Sequence, residues 1–148
     1  MSELNQLLLK LDYKTNFNEH DFYLSKSNSN AFNFINRWPD WEKKILNISG
    51  EKFSGKSHLA NIFKLKSKAF LVRGNKIDNS IFKSLKLYES IIIDDFEECN
   101  EEEILYSIFN LIDQDNKYLL INSLKSINKI KYKLPDLASR SKNCLYAE

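Results

Sequence analysis

Glycine is almost absent from this chain: three residues in 148. Proline and cysteine are rarer still, at two each. So few turn formers exclude collagen-like, low-complexity and linker-rich organisations, which need Gly and Pro to break or extend the backbone. Cys99 and Cys144 cannot build a disulfide framework, and they share no metal-ligand spacing with each other or with His20 and His58. They read as reduced thiols of a cytosolic protein. No apolar run approaches the roughly 18 residues that span a bilayer. The start Met1-Ser2-Glu3 has neither the basic region nor the apolar core of a signal peptide. The expectation is a cytoplasmic protein with no membrane contact. A formal net charge of +2 is too small to predict nucleic-acid binding by itself. No Ser/His/Asp or Cys/His set supports nucleophilic hydrolysis.

Scarcity makes the position of the remaining glycines informative. Gly50-Glu51-Lys52-Phe53-Ser54-Gly55-Lys56-Ser57 fits the phosphate-binding pattern G-x-x-x-x-G-K-S/T, and only Gly74 lies outside it. The apolar Ile45–Ser49 before it predicts a buried strand, and Lys56–Leu65 after it predicts a helix. A strand, a tight loop and a helix N-terminus make an anion site, because unpaired N–H groups and the helix dipole converge there. Lys56 would reach the terminal phosphates and the Ser57 hydroxyl would ligate Mg2+. Phe53 stands where many such loops carry glycine. If φ is positive there, phenylalanine costs about 1 kcal/mol or more, which predicts weakened nucleotide binding.

Further strands are expected at Ala69–Arg73, Ser90–Asp94, Tyr118–Asn122 and Asn143–Ala147, alternating with helices at Asn79–Leu87 and Glu101–Ile112. The last would turn Ile104, Leu105, Ile108, Leu111 and Ile112 to one face. Asn28 or Ser29 could cap a helix running through Asn33 to Arg37. Alternation of this kind predicts an α/β fold of three layers, a P-loop domain with a parallel five-stranded sheet covered on both faces. Residues 21–148 would form this core, and residues 1–20, with regularly spaced leucines, an arm.

Ser90-Ile91-Ile92-Ile93-Asp94-Asp95 places two carboxylates at the tip of a buried strand, where ligands of open α/β sheets gather. Asp94 is the second candidate ligand for Mg2+, with Asp95 beside it as a catalytic candidate. The expectation is that the strand carrying Asp94 neighbours the strand before Gly50 in one sheet. By itself the pattern also fits a buried strand followed by an acidic turn. Asn122 ends another apolar strand and could orient a water or sense a terminal phosphate; a capped strand end is the plainer alternative. Arg140 closes Leu134-Pro135-Asp136-Leu137-Ala138-Ser139-Arg140, a short helix with proline in its first turn. It could act as an arginine finger toward a neighbouring subunit, or be a solvated surface residue. Gln6-Leu7-Leu8-Leu9-Lys10-Leu11 offers a glutamine and alternating leucines at 7, 9 and 11 to a groove, though Leu4, Leu7, Leu8 and Leu11 also have helical spacing.

In this order the pieces resemble the AAA+ domain of the replication initiator DnaA, and more closely its regulatory relatives of the Hda family. Phe22 to Ala31 resembles the segment F-V-V-G-x-x-N-x-x-A that leads into the pocket, and Arg37-Trp38-Pro39-Asp40-Trp41 the stretch before the loop. Gly55-Lys56-Ser57-His58-Leu59-Ala60 matches G-K-S/T-H-L-x, Leu134 to Arg140 matches L-P-D-L-x-S-R, and Gln6 to Leu11 is similar to the clamp-binding motif Q-L-x-L-P-L. The resemblance implies ADP or ATP with Mg2+, held by Gly50, Ser54, Gly55, Lys56, Ser57, His58 and Asp94. It implies partners too: the DNA polymerase III β sliding clamp through Gln6, Leu7, Leu9 and Leu11, and DnaA, whose bound ATP Arg140 would help hydrolyse in trans. Three departures stand out: Phe53, Lys10 in place of the motif's proline, and only eight residues after Arg140, from which no helical lid is expected in this sequence. Little or no ATPase activity of its own is expected, and no sequence-specific DNA binding. The competing expectations are a self-sufficient small ATPase or kinase, or a binding module with a vestigial nucleotide site.

Overall fold

Among the described residues each expected strand forms, and what surrounds it decides where it starts. The computed structural model describes residues 26–51 and 55–147. Helix α1 (Lys26–Arg37) leads to β1 (Ile45–Ser49), α2 (Lys56–Ser67) and β2 (Phe70–Arg73). Then follow α3 (Ile81–Leu87), β3 (Ser90–Asp94), α4 (Glu102–Gln114), β4 (Tyr118–Ser123), α5 (Pro135–Arg140) and β5 (Leu145–Ala147). Two strands open later than expected. Lys68 takes a left-handed turn (φ 57°) to end α2, so β2 begins at Phe70. Asn143 N–H still bonds the Arg140 carbonyl at 3.0 Å, so it belongs to the turn before β5. Asn28 and Ser29 lie inside α1 rather than capping it, because the helix already runs from Lys26.

All pairings are parallel, in the order β2-β3-β4-β1-β5. This corrects the expectation that β1 and β3 are neighbours: β4 lies between them. It is the longest strand and is buried from Leu119 to Ser123, so it gains most from the central position. The insertion sets the β1 and β3 axes about 10 Å apart, two strand spacings.

Side chains alternate between the two faces of the sheet, and helices cover both. Leu46, Ile48, Ile92 and Leu120 pack with Ala31, Ile35, Leu59, Ile62 and Phe63 of α1 and α2. Ile91, Ile93, Leu119 and Ile121 pack on the other face with Leu85, Leu105, Ile108, Phe109, Ile112 and Leu137 of α3, α4 and α5. Each such side chain contributes roughly 1.5–3 kcal/mol by leaving water. Phe109 joins the α4 face in full, while Ile104 and Leu111 are half-buried on it.

Arg37 to Trp41 form an aromatic clasp. The Trp41 ring stacks on Phe63 with centroids 5.5 Å apart, and its Nε1 donates to the Phe34 carbonyl at 2.7 Å. Trp38 meets both Phe63 and Tyr118 edge-on. Tyr118 opens β4, so the clasp sits at the edge where strands begin, away from the loop after β1. Lys66 Nζ donates to the Ile35 and Asn36 carbonyls at 3.2 and 2.8 Å, satisfying the C-terminal end of α1.

Candidate functional site

The C-terminal tips of β1, β3 and β4 bring the loop, a carboxylate and an amide together. Gly55 precedes α2 in the left-handed region (φ 98°), a conformation that favours glycine. Gly55 has no side chain with which to cap α2, so it leaves the helix N-terminus open, as an anion site requires. Gly50 is held at the β1 tip by its N–H, which donates to the Ser123 carbonyl at 3.1 Å. Lys56 Nζ donates to the carbonyls of Gly50 and Glu51, the latter at 3.1 Å. Burial pulls the Lys56 ammonium below lysine's ordinary pKa, while the charges of Glu97, Asp94 and Asp95 push it back up. Those carboxylates are therefore close enough to be felt by the ammonium.

Asn122 joins the two halves. Its Nδ2 donates to the Lys56 carbonyl at 3.2 Å and to Asp94 Oδ1 at 3.4 Å. Both partners are acceptors, which fixes the orientation of the amide. Its Oδ1 is fully buried with no hydrogen-bond partner among the described residues. An orphan acceptor of this kind costs about 1–3 kcal/mol, and a donor from water or ligand relieves it. Asp94 Oδ1 also accepts from the Asp95 N–H at 3.1 Å. Asp95 itself is left-handed (φ 51°), so the chain turns sharply after the carboxylate.

The residue types fit a nucleotide with its metal. A helix N-terminus and Lys56 suit phosphate oxygens. The Ser57 hydroxyl and the Asp94 carboxylate are hard oxygen donors of the kind Mg2+ takes, the rest of its shell coming from phosphates and water. Ser57 is exposed in the first turn of α2 and His58 is half-buried beside it. Ser54 and Phe53, and the segment Gln6, Leu7, Leu9 and Leu11, lie outside the described residues.

Arg140 stands elsewhere. It pairs with Asp113 at 3.7 Å, near the end of α4 that leads to the start of β4. In a parallel sheet that is the edge opposite Gly55, so Arg140 is not gathered with Lys56, Asp94 and Asn122. Both partners are more than a third exposed, so the pair is worth at most about 1 kcal/mol.

Two residues that hold the site in place, and one that holds α5, escape a reading of the sequence. Asn47, fully buried in β1, donates to the Ile121 carbonyl and Ser123 Oγ, each at 3.0 Å, and accepts from the Ile127 N–H at 2.8 Å. Gly74 lies against the turn after β3: a Cβ there would press into the Asp95 carbonyl oxygen and stand 3.1 Å from Cys99 N. Glu102 accepts from the N–H groups of Lys133 and Leu134 at 2.9 Å, fixing the entry to α5. Only Asn47 gave a signal, a polar residue inside an apolar run.

The strand order and the loop after β1 define a P-loop α/β domain with AAA+ architecture. No family model matches the chain, and no curated protein sequence does. Solved structures do. AMPPCP-bound DnaA from Aquifex aeolicus is 15% identical with a TM-score of 0.70, over 84% of this chain and 48% of that one. Domain III of Thermotoga maritima DnaA is 18% identical with a TM-score of 0.64, over 87% of this chain and 65% of that one. The solution structure of NMB1076 from Neisseria meningitidis is 25% identical with a TM-score of 0.56, over 71% and 74% of the two chains. The fold is thus a DnaA-like AAA+ fold, and the chain spans about half the length of the AMPPCP-bound DnaA structures it matches. No described helix is long and apolar enough to cross a membrane.

Proposed function

We propose that the chain is a nucleotide-binding regulator of replication: an adaptor of the Hda kind that holds ADP or ATP with Mg2+ and acts on DnaA at the sliding clamp. One observation carries the nucleotide site. A buried amide, Asn122, links the backbone of Lys56 to the carboxylate of Asp94 and keeps one acceptor unpartnered among the described residues. Lys56 would exchange the Gly50 and Glu51 carbonyls for phosphate oxygens. Ser57 and Asp94 would hold Mg2+, whose chemistry when bound is to neutralise phosphate charge. Asn122 would hold Asp94 in register across β4, and Asp95 would keep that carboxylate oriented through its N–H.

For Arg140 we propose a role in trans. It stands at the edge opposite its own Lys56, and its exposed pair with Asp113 can be broken at little cost. A partner's nucleotide brought to that edge would meet a guanidinium able to stabilise charge on the transferring phosphoryl group. Gln6, Leu7, Leu9 and Leu11 would supply the contact with the clamp.

The test is hydrolysis of DnaA-bound ATP in the presence of loaded clamp, with and without this protein. Acceleration by the wild type, lost in Arg140→Ala at an unchanged melting temperature, is the expected result. Equal stimulation by that variant would remove the finger assignment. The double variant Gln6→Ala, Leu9→Ala should lose clamp pull-down. One observation favours a second reading, a binding module with a vestigial site: the Lys56 ammonium is satisfied by carbonyls of its own loop. In that case DnaA or clamp binding is indifferent to nucleotide and to Lys56→Ala.

A further inference from the structure

The C-terminal end of α2, with β2 and α3 beyond it, lies away from the loop after β1 and carries features that a nucleotide site does not use. β2 is an outer strand bonded to β3, and among the described residues no strand pairs with its other side. Phe70, Leu71 and Val72 are only half-buried and Arg73 is exposed. Such an edge presents N–H and C=O groups at alternate residues, a template for one more strand.

Beside the start of β2 lies a hollow of about 400 Å³ lined by Asn61, Lys64, Leu65, Lys68 and Ala69. The spacing 61, 64, 65, 68 is one face of α2 and its closing turn, with Lys64 roughly 12 Å along the helix from Lys56. Leu65 is 53% exposed at this hollow. The Tyr88 ring packs on Phe70 with centroids 5.3 Å apart, and its neighbour Leu87 is 82% exposed.

Charge is distributed to match. From Lys64 to Lys86 there are seven Lys and Arg residues against a single acid, Asp78. Lys64 and Lys68 are exposed and unpaired, since the ion pairs among the described residues are Arg37–Glu42 and Arg140–Asp113. From Asp94 to Glu103 the balance reverses, with seven acids and no cation.

We propose that this edge docks an extended, acidic segment of a partner protein. The segment adds to β2 as a strand, seats an aliphatic side chain in the hollow against Leu65, and sets carboxylates against Lys64 and Lys68. Main-chain hydrogen bonds then give affinity and alternate side chains give selectivity. A nucleic acid would answer the lysines but could neither ladder with β2 nor fill an aliphatic hollow. A second copy of this chain would bring the same lysines to the same edge, where like charges repel.

The test uses the full chain labelled with 15N. It is titrated with short acetylated, amidated peptides in which Asp or Glu alternates with Val, Leu or Ile, and with a matching set carrying Lys in place of the acids. Members of the acidic set should shift alternate β2 amides and those of Lys64–Ala69, leaving Gly50 and Gly55 unmoved. The double variant Lys64→Glu, Lys68→Asn should weaken that binding about tenfold, the size of two exposed ion pairs lost. Asparagine at 68 tolerates the left-handed backbone, so the variant should melt like the wild type. Leu65→Gln should weaken binding without any change of charge. No β2 shift with any acidic peptide, an equal response to both sets, or unchanged affinity in the double variant overturns the proposal. So does the same pattern of shifts produced by oligothymidylate, or by raising the protein concentration alone. Because the edge is remote from Lys56, these outcomes are independent of nucleotide binding.

Discussion

Replacing Gly74 with alanine adds one methyl group beneath the turn that carries Asp94 and Asp95. Its Cβ would come closer to the Asp95 carbonyl oxygen than the 3.0 Å that such atoms keep, and would also stand 3.1 Å from Asp95 C and Cys99 N. These are backbone atoms, so no flexible side chain can yield; the turn itself must retreat by about an ångström, at the usual overpacking cost of about 1–3 kcal/mol. For a domain of this size each kcal/mol is about 2–4 °C, so melting should fall by roughly 2–12 °C. The same shift moves Asp94, which hangs from the Asp95 N–H and the Asn122 amide. Mg2+ demands near-ideal geometry, so we expect about tenfold weaker binding of labelled ADP with Mg2+ and unchanged binding in EDTA. Calorimetry with and without Mg2+, beside a melting curve, measures both. Wild-type melting together with a wild-type Mg2+ response would show that Gly74 does not hold the turn.

Asn47→Ala strands the Ile127 N–H and removes the tie between β1 and β4; we expect about 2–4 kcal/mol of destabilisation by urea unfolding. Glu102→Ala should speed hydrogen exchange at the Lys133 and Leu134 amides while β1 stays protected. Burial pushes the Cys144 thiol from 9.0 up to about 12. Its contribution to stability is therefore fully present below pH 9.0 and is lost as pH rises toward about 12, because the unfolded chain releases the proton first. Cys144→Ala should flatten that alkaline decline in a series of unfolding curves, and an unchanged slope would assign it to other groups. Phe53→Gly should tighten nucleotide binding if the side chain hinders the loop, and equal affinities would dismiss that hindrance.

The strands were legible because buried parallel strands are written as unbroken apolar runs, such as Ile91-Ile92-Ile93. The phosphate loop was legible because its glycines are nearly the only ones in the chain. Strand order was not, since an apolar run records burial but not its neighbours; the place of β4 between β1 and β3 therefore had to be seen. Asn122 read more plainly as a strand cap than as a site residue, and only its position between Lys56 and Asp94 favours the site. Gly74 and Glu102 act on backbone far along the chain, contacts that no local pattern encodes.

Binding of Mg-ADP and Mg-ATP to the wild type, Lys56→Ala and Asp94→Asn, followed by titration calorimetry, tests the central claim most directly. A DnaA-like site built from the β1–α2 loop and the β3 tip predicts wild-type binding, its loss in Lys56→Ala, and loss of the Mg2+ dependence alone in Asp94→Asn. Absence of wild-type binding, or equal affinity in all three proteins, would contradict it.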